Sequence, residues 1–151
     1  MEPRSATPDD AKLILKLYEL RREPVMRKAR DFVNTFFPQS ADEFLRLMQA
    51  WGTDENAYAR QVVSYWDMAA SLVLRGALHE ELFLDSAGEM IFTFSKLQPF
   101  LSKIREGMGA PEFLKNIETL LSRSEVARAK VKATMERVQV ISEMRKKMAK
   151  A

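Results

Sequence analysis

A chain of 151 residues with 24 basic and 21 acidic side chains, 46% hydrophobic residues and no cysteine is long enough for one domain with its own core and too apolar for wholesale disorder. The missing cysteine excludes disulfides, thiolate metal sites, iron–sulfur clusters and cysteine nucleophiles. Residues 1–10 carry Glu2, Arg4, Asp9, Asp10 and two prolines rather than the apolar run of a signal peptide, and the most apolar stretch, 62–74, is broken by Ser64, Asp67 and Ser71 well short of a bilayer span, so a cytoplasmic protein is expected.

Glycine and proline are scarce, 5 and 6 residues, and they fall where helices should start or stop. Thr7-Pro8-Asp9-Asp10 supplies an N-cap, a proline in the first turn and acids at the positive end of the helix dipole, and Leu13, Leu17 and Leu20 follow on one face. Pro24 opens a second helix with Val25, Ala29, Phe32, Val33 and Phe36 at helical spacing, stopped by Pro38. Ser40 to Glu43 reads as a capping box for a short third helix carrying Phe44, Leu47, Met48 and Trp51 and ended by Gly52.

Thr53 caps a longer helix over 54–75, closed by Gly76. Its polar residues Arg60, Ser64, Asp67, Ser71 and Arg75 recur every three or four positions and form one narrow stripe, while Tyr65, Trp66, Met68, Leu72 and Val73 fill the rest of its girth. A helix so apolar around most of its circumference belongs at the centre of a bundle. His79 to Leu84 forms a short helical turn, and Asp85 or Ser86 is placed to cap the next helix. Ala87, Met90, Ile91, Phe94, Leu97, Leu101, Ile104 and Met108 keep one helical phase across Pro99, which argues for a single kinked helix. Phe113, Ile117, Leu120 and Leu121 mark another helix after the break at Gly107, Gly109 and Pro111.

The last segment, 123–151, differs in charge. It holds nine basic and three acidic residues, a net of +6, whereas 1–122 carries a net of −3. Val131, Val138, Ile141 and Met148 give it a thin apolar stripe, interrupted by Thr134 and Arg145. The expected fold is therefore all-α: a single-domain bundle of about six or seven helices, with a core over 1–122, a central buried helix, and a long basic C-terminal helix that is part of that domain or appended to it.

Chemistry is sparse. The single His79 has Glu80, Glu81, Asp85 and Glu89 nearby, but no His-Glu-x-x-His or Glu-x-x-His spacing exists, so no metal, catalytic or cofactor residues are assigned and no cofactor is expected. No glycine cluster of a phosphate loop or dinucleotide fingerprint is present. Two places remain for function. One is the stripe of Arg60, Ser64, Asp67, Ser71 and Arg75, which either lines a small-ligand or catalytic pocket beside Asp67 or is satisfied by neighbouring helices. The other is the basic surface of Arg128, Lys130, Lys132, Lys146 and Lys147, which either binds nucleic acid or an anionic membrane surface or is the solvated side of a self-associating helix.

Tyr65-Trp66-Asp67-Met68-Ala69-Ala70, then 74–83 with Arg75-Gly76 and Glu80-Glu81, then Leu97-Gln98-Pro99-Phe100 with Arg105 together resemble a bacterial family of helical proteins known as a domain of unknown function, DUF4760, over about residues 57–121. The resemblance implies an all-helical fold and no activity, and it carries no functional residues over. The leading expectation is a non-enzymatic interaction or structural protein that self-associates, most simply as a dimer, or meets another protein. Binding of nucleic acid or anionic membrane through the tail comes second, and chemistry beside Asp67 third.

Overall fold

A computed structural model describes residues 3–151. Among them are nine α-helices and no strand: α1 (Pro8–Arg21), α2 (Pro24–Thr35), α3 (Ala41–Gln49), α4 (Asp54–Leu74), α5 (Glu80–Asp85), α6 (Gly88–Leu97), α7 (Leu101–Met108), α8 (Lys115–Ser122) and α9 (Glu125–Ala149). The count exceeds the expected six or seven because the turn after His79 is a helix in its own right and Pro99 divides another. At the proline the chain tightens into a 3-10 turn, Gln98–Phe100, between α6 and α7. The phase nonetheless persists through the break, with Met90, Ile91, Phe94, Leu97, Leu101 and Ile104 all buried. A 3-10 turn lets the path continue where the proline can donate no hydrogen bond.

The centre is α4. It packs against α2, α3 and α8, and α9 lies across α6 and α8. Val62, Trp66, Ala69, Ala70 and Val73 of α4 are among the most buried residues. The alanines let neighbouring helices approach, while Trp66 fills the space between Tyr65 and Phe83, its ring 4.9 and 6.3 Å from theirs. Gly76, at φ +80°, ends α4 in the left-handed conformation, and the Ala77 and Leu78 amides turn back to the Leu72 carbonyl. Where α3 meets α7 the close approach is at Gly107: a Cβ there would sit 2.6 Å from Leu45 Cδ1.

The caps at Thr7, Ser40 and Thr53 form as the sequence predicts, each side chain accepting from an amide three residues on. Glu43 differs in one detail, accepting from the Gln39 amide rather than from that of Ser40. Neither Asp85 nor Ser86 caps α6; the residue at that position is Ala87, and the Ser86 hydroxyl donates backward to the Phe83 carbonyl. The inward face of α1 is also shifted. Leu13 and Leu20 are exposed, as is Val25 of α2, and α1 instead turns Asp10, Leu17 and Arg21 inward. Trp51 lies beyond the end of α3, 70% exposed, rather than in the core.

Why a charged face should be the buried one is answered by its partners. The Asp10 carboxylate, 2% exposed, accepts from the Arg4 guanidinium at 2.6 Å through both oxygens, from the Thr7 amide and hydroxyl, and from the His79 amide at 2.9 Å. The Arg4 hydrogen bonds, aided by those of Thr7 and His79, outweigh burial and hold its pKa far below the usual carboxylate range. One side chain thus joins the N-terminal segment, α1 and the turn entering α5.

Candidate functional site

The α4 stripe does not converge on one site. Ser64 and Ser71 donate to the Gln61 and Met68 carbonyls of their own helix, and Arg75 caps its far end in solvent. Arg60 donates to Asn56 and lies over the exposed Trp51 ring at 4.7 Å, while Asn56, fully buried, donates to the Leu47 and Met48 carbonyls at the end of α3. Asp67 has a different task. Its oxygens accept from the Ile117 amide at 3.1 Å and the Asn116 side-chain amide at 2.9 Å, at the start of α8. That helix begins at Leu114, a non-glycine residue at φ +56° whose apolar side chain offers no cap. Asp67 therefore acts as the missing N-cap, supplied from 50 positions away. A groove of about 620 Å³ runs beside Arg60, Ser64 and Asp67 toward Met108 and Phe113, but both oxygens of its carboxylate are already engaged.

The polar cluster that sequence reading missed lies on the other side of α4. Glu89 of α6 accepts from Arg30 Nε at 3.0 Å through each oxygen, from Asn34 and from the Trp66 indole N–H. Burial pushes the Glu89 carboxyl up, but Arg30, Asn34 and Trp66 together bring it below its ordinary value. Arg30 donates in turn to the Arg21 carbonyl, and the Arg21 guanidinium sits between the Tyr18 and Trp66 rings at 5.3 and 5.0 Å. Tyr65 donates to the Leu17 carbonyl at 2.6 Å, and burial pushes its hydroxyl up to about 12. The signal was present as Arg30, Asn34 and Glu89, all at inward positions of helices, but nothing local pairs them. The acids around His79 meanwhile scatter: Glu89 goes to Arg30, Glu80 pairs with Arg123, and His79 Nδ1 accepts from the Leu82 amide as the cap of α5. Among the described residues no three His, Asp or Glu side chains gather as a metal ion would require.

Lys96 was also invisible to a pattern that reads lysine as solvent-facing. It is 4% exposed, donating to the Val33 and Phe36 carbonyls at the end of α2, with its ammonium 4.8 Å from the centres of both the Phe37 and Phe92 rings. A cation at a helix C-terminus complements the dipole, yet burial, with Arg145 adding to it, pulls the ammonium down to about 7 despite Glu89. Beside it the Ser95 hydroxyl is buried without a hydrogen-bond partner.

The five basic candidates of the tail separate around α9. Arg128, Lys132 and Lys146 line a cleft between α9 and α6. Lys130 lies on the opposite side, in a depression shared with Glu80, Glu81 and Asp85. Lys147 belongs to the outer face, away from both. Arg128 also donates to the Ser122 carbonyl at 2.6 Å, closing the end of α8. The tail packs on its own body: Val131, Val138 and Ile141 are half-buried, Gln39 donates to Ser142 and Arg145 lies over the Phe37 ring at 5.1 Å. Its other side is also apolar, with Val126, Val140 and Met144 exposed at 64, 58 and 58%. Among the described residues no helix is long and apolar enough to cross a membrane.

No curated protein and no solved structure matches the chain. A family profile described as a domain of unknown function, DUF4760, matches residues 6–124, from the cap of α1 to the cap of α9. With the match covering well over half of its length, the chain belongs to the DUF4760 family, with α9 beyond the matched span.

Proposed function

We propose that the protein is a non-enzymatic interaction module that self-associates through the outer face of α9. The observation that carries this reading is the second apolar seam of that helix. Val126, Ala129, Ala133, Val140 and Met144 share one side, exposed, while the opposite side is occupied by the protein's own core. Charge along the seam selects an arrangement. Helical spacing puts Glu125, Glu136 and Glu143 in one row at one edge, and Lys130 and Arg137 at the other. Two copies of α9 related by a twofold axis along the helix set each acidic row against the partner's basic row, whereas an antiparallel pair sets like against like. The charges thus favour a parallel dimer with the two bodies facing away from each other.

Light scattering checks this directly. The wild-type chain runs as a dimer, and Val140→Glu with Met144→Glu, on a face that supports no core contact, runs as a folded monomer. Arg137→Glu weakens the dimer, and adding Glu136→Lys restores it. A wild-type chain that stays monomeric at about 100 μM removes the proposal. Binding of the monomeric variant to duplex DNA or anionic vesicles at low salt would favour the alternative in which α9 meets phosphate.

A further inference from the structure

The inner side of α9 does not close completely on α6. Between them lies an open cleft of about 600 Å³, inside the range of small-ligand sites. Its apolar wall includes Phe100, Val131, Met135 and Val138. Four basic groups line it, Lys96, Arg128, Lys132 and Lys146, against two acids, Glu136 and Glu143. Two polar groups at its floor are incompletely satisfied. Ser95 is 98% buried and its hydroxyl has no partner, a condition that destabilises the fold when nothing compensates it. Lys96, 4% exposed, places two of its three ammonium protons on the Val33 and Phe36 carbonyls, and the third, beside the Phe37 and Phe92 rings, has no oxygen acceptor. Adjacent buried donors beneath an apolar wall, with a cationic rim, describe a recognition surface for an oxyanion attached to a hydrocarbon body.

We propose that the cleft between α6 and α9 binds a single-chain anionic amphiphile, with its carboxylate or phosphate head at Ser95 and Lys96 under the Arg128 and Lys132 side chains and its alkyl body along Phe100, Val131, Met135 and Val138. The volume suits one medium-length chain rather than a two-chain lipid. The apolar wall of this site is on a different side of α9 from the exposed Val126, Val140 and Met144, and the two surfaces share only the edge that carries Glu136 and Glu143.

Calorimetric titration of the full chain with sodium decanoate and with decyl phosphate, both kept below micelle formation, tests the proposal and tells the two heads apart. Saturable binding with a Kd below about 1 mM is expected for at least one of them. Decanol and decyltrimethylammonium, which have the same body without the anion, bind at least about tenfold more weakly. Met135→Trp, which fills the cleft from a half-exposed position, lowers affinity by about tenfold or more, with an unchanged far-ultraviolet dichroism spectrum to verify the fold. Arg128→Ala with Lys132→Ala weakens the anions and leaves decanol unaffected. The monomeric Val140→Glu, Met144→Glu chain binds as the wild type does. Equal affinity for the cationic amphiphile, no saturable binding of either anion, or binding indifferent to Met135→Trp overturns it.

Discussion

The two longest helices, α4 and α9, each carry a stripe that breaks their pattern, and the structure uses the two stripes in opposite ways. In α4 the exceptional residues are polar ones on an apolar cylinder. Three of the five are consumed inside the molecule: Ser64 and Ser71 by their own backbone, and Asp67 by the open end of α8. In α9 the exceptional residues are apolar ones on a charged cylinder, and they are divided between two sides. One side rests on α6 and α8, and the other faces water. A polar stripe on a buried helix is thus a poor guide to a binding site, because a bundle has many helix ends to satisfy. A surplus apolar face on a surface helix has no such internal use.

Substitutions sharpen the contrast between a helix fixed from all sides and one held from one side. Trp66→Ala empties the middle of α4 and removes a donor to Glu89, and should cost about 3–5 kcal/mol in urea denaturation. Glu89→Ala leaves Arg30 inward-facing without its carboxylate and should cost about 2–3 kcal/mol. The same group gives the contrast a pH dependence. Its folded pKa, like that of Asp10, is depressed, so both contribute stability that is fully present above the unfolded carboxylate value near 4 and is lost as pH falls through the folded values. Acid titration of the Glu89→Ala chain should show a shallower loss of stability below about pH 4 than the wild type. Asp67→Ala uncaps α8 and should cost about 1–2 kcal/mol, with hydrogen exchange at the Ile117 amide rising more than elsewhere in the core. Val126→Ser on the outer side of α9 should change monomer stability by less than about 0.5 kcal/mol. A large effect there at low protein concentration would mean that α9 is fixed from both sides after all.

Local grammar predicts local structure well here. Thr7, Ser40 and Thr53 announce their helices because a cap is a contact three residues long. The phase across Pro99 is equally readable, since burial follows the period even where the hydrogen bonds change to 3-10 spacing. What escapes is every group whose partner is distant in sequence. Leu13 and Leu20 look like the inner face of α1 until Arg4 and His79 appear beside Asp10 and turn that edge of the helix inward. Asp67, singled out as a candidate for chemistry, caps a helix whose start no rule reveals, because Leu114 takes a left-handed conformation usually left to glycine. Lys96 and Glu89 hide for the same reason. A charged residue inside a bundle is legible only through the carbonyls or guanidinium that meet it, and those arrive from α2.

The position of α9 also has a consequence for how the molecule is made. A ribosome delivers the chain from its N-terminus, so α2 and α6 emerge before the helix that completes the wall over Ser95, Lys96 and Phe100. Until α9 arrives, that side of the nascent bundle is open to water, and Phe100 and the buried Ser95 lack the apolar wall that Val131, Met135 and Val138 supply. The apolar side of α6 is thus covered by a helix made after it, so its exposure during synthesis lasts as long as the ribosome takes to reach the far end of α9.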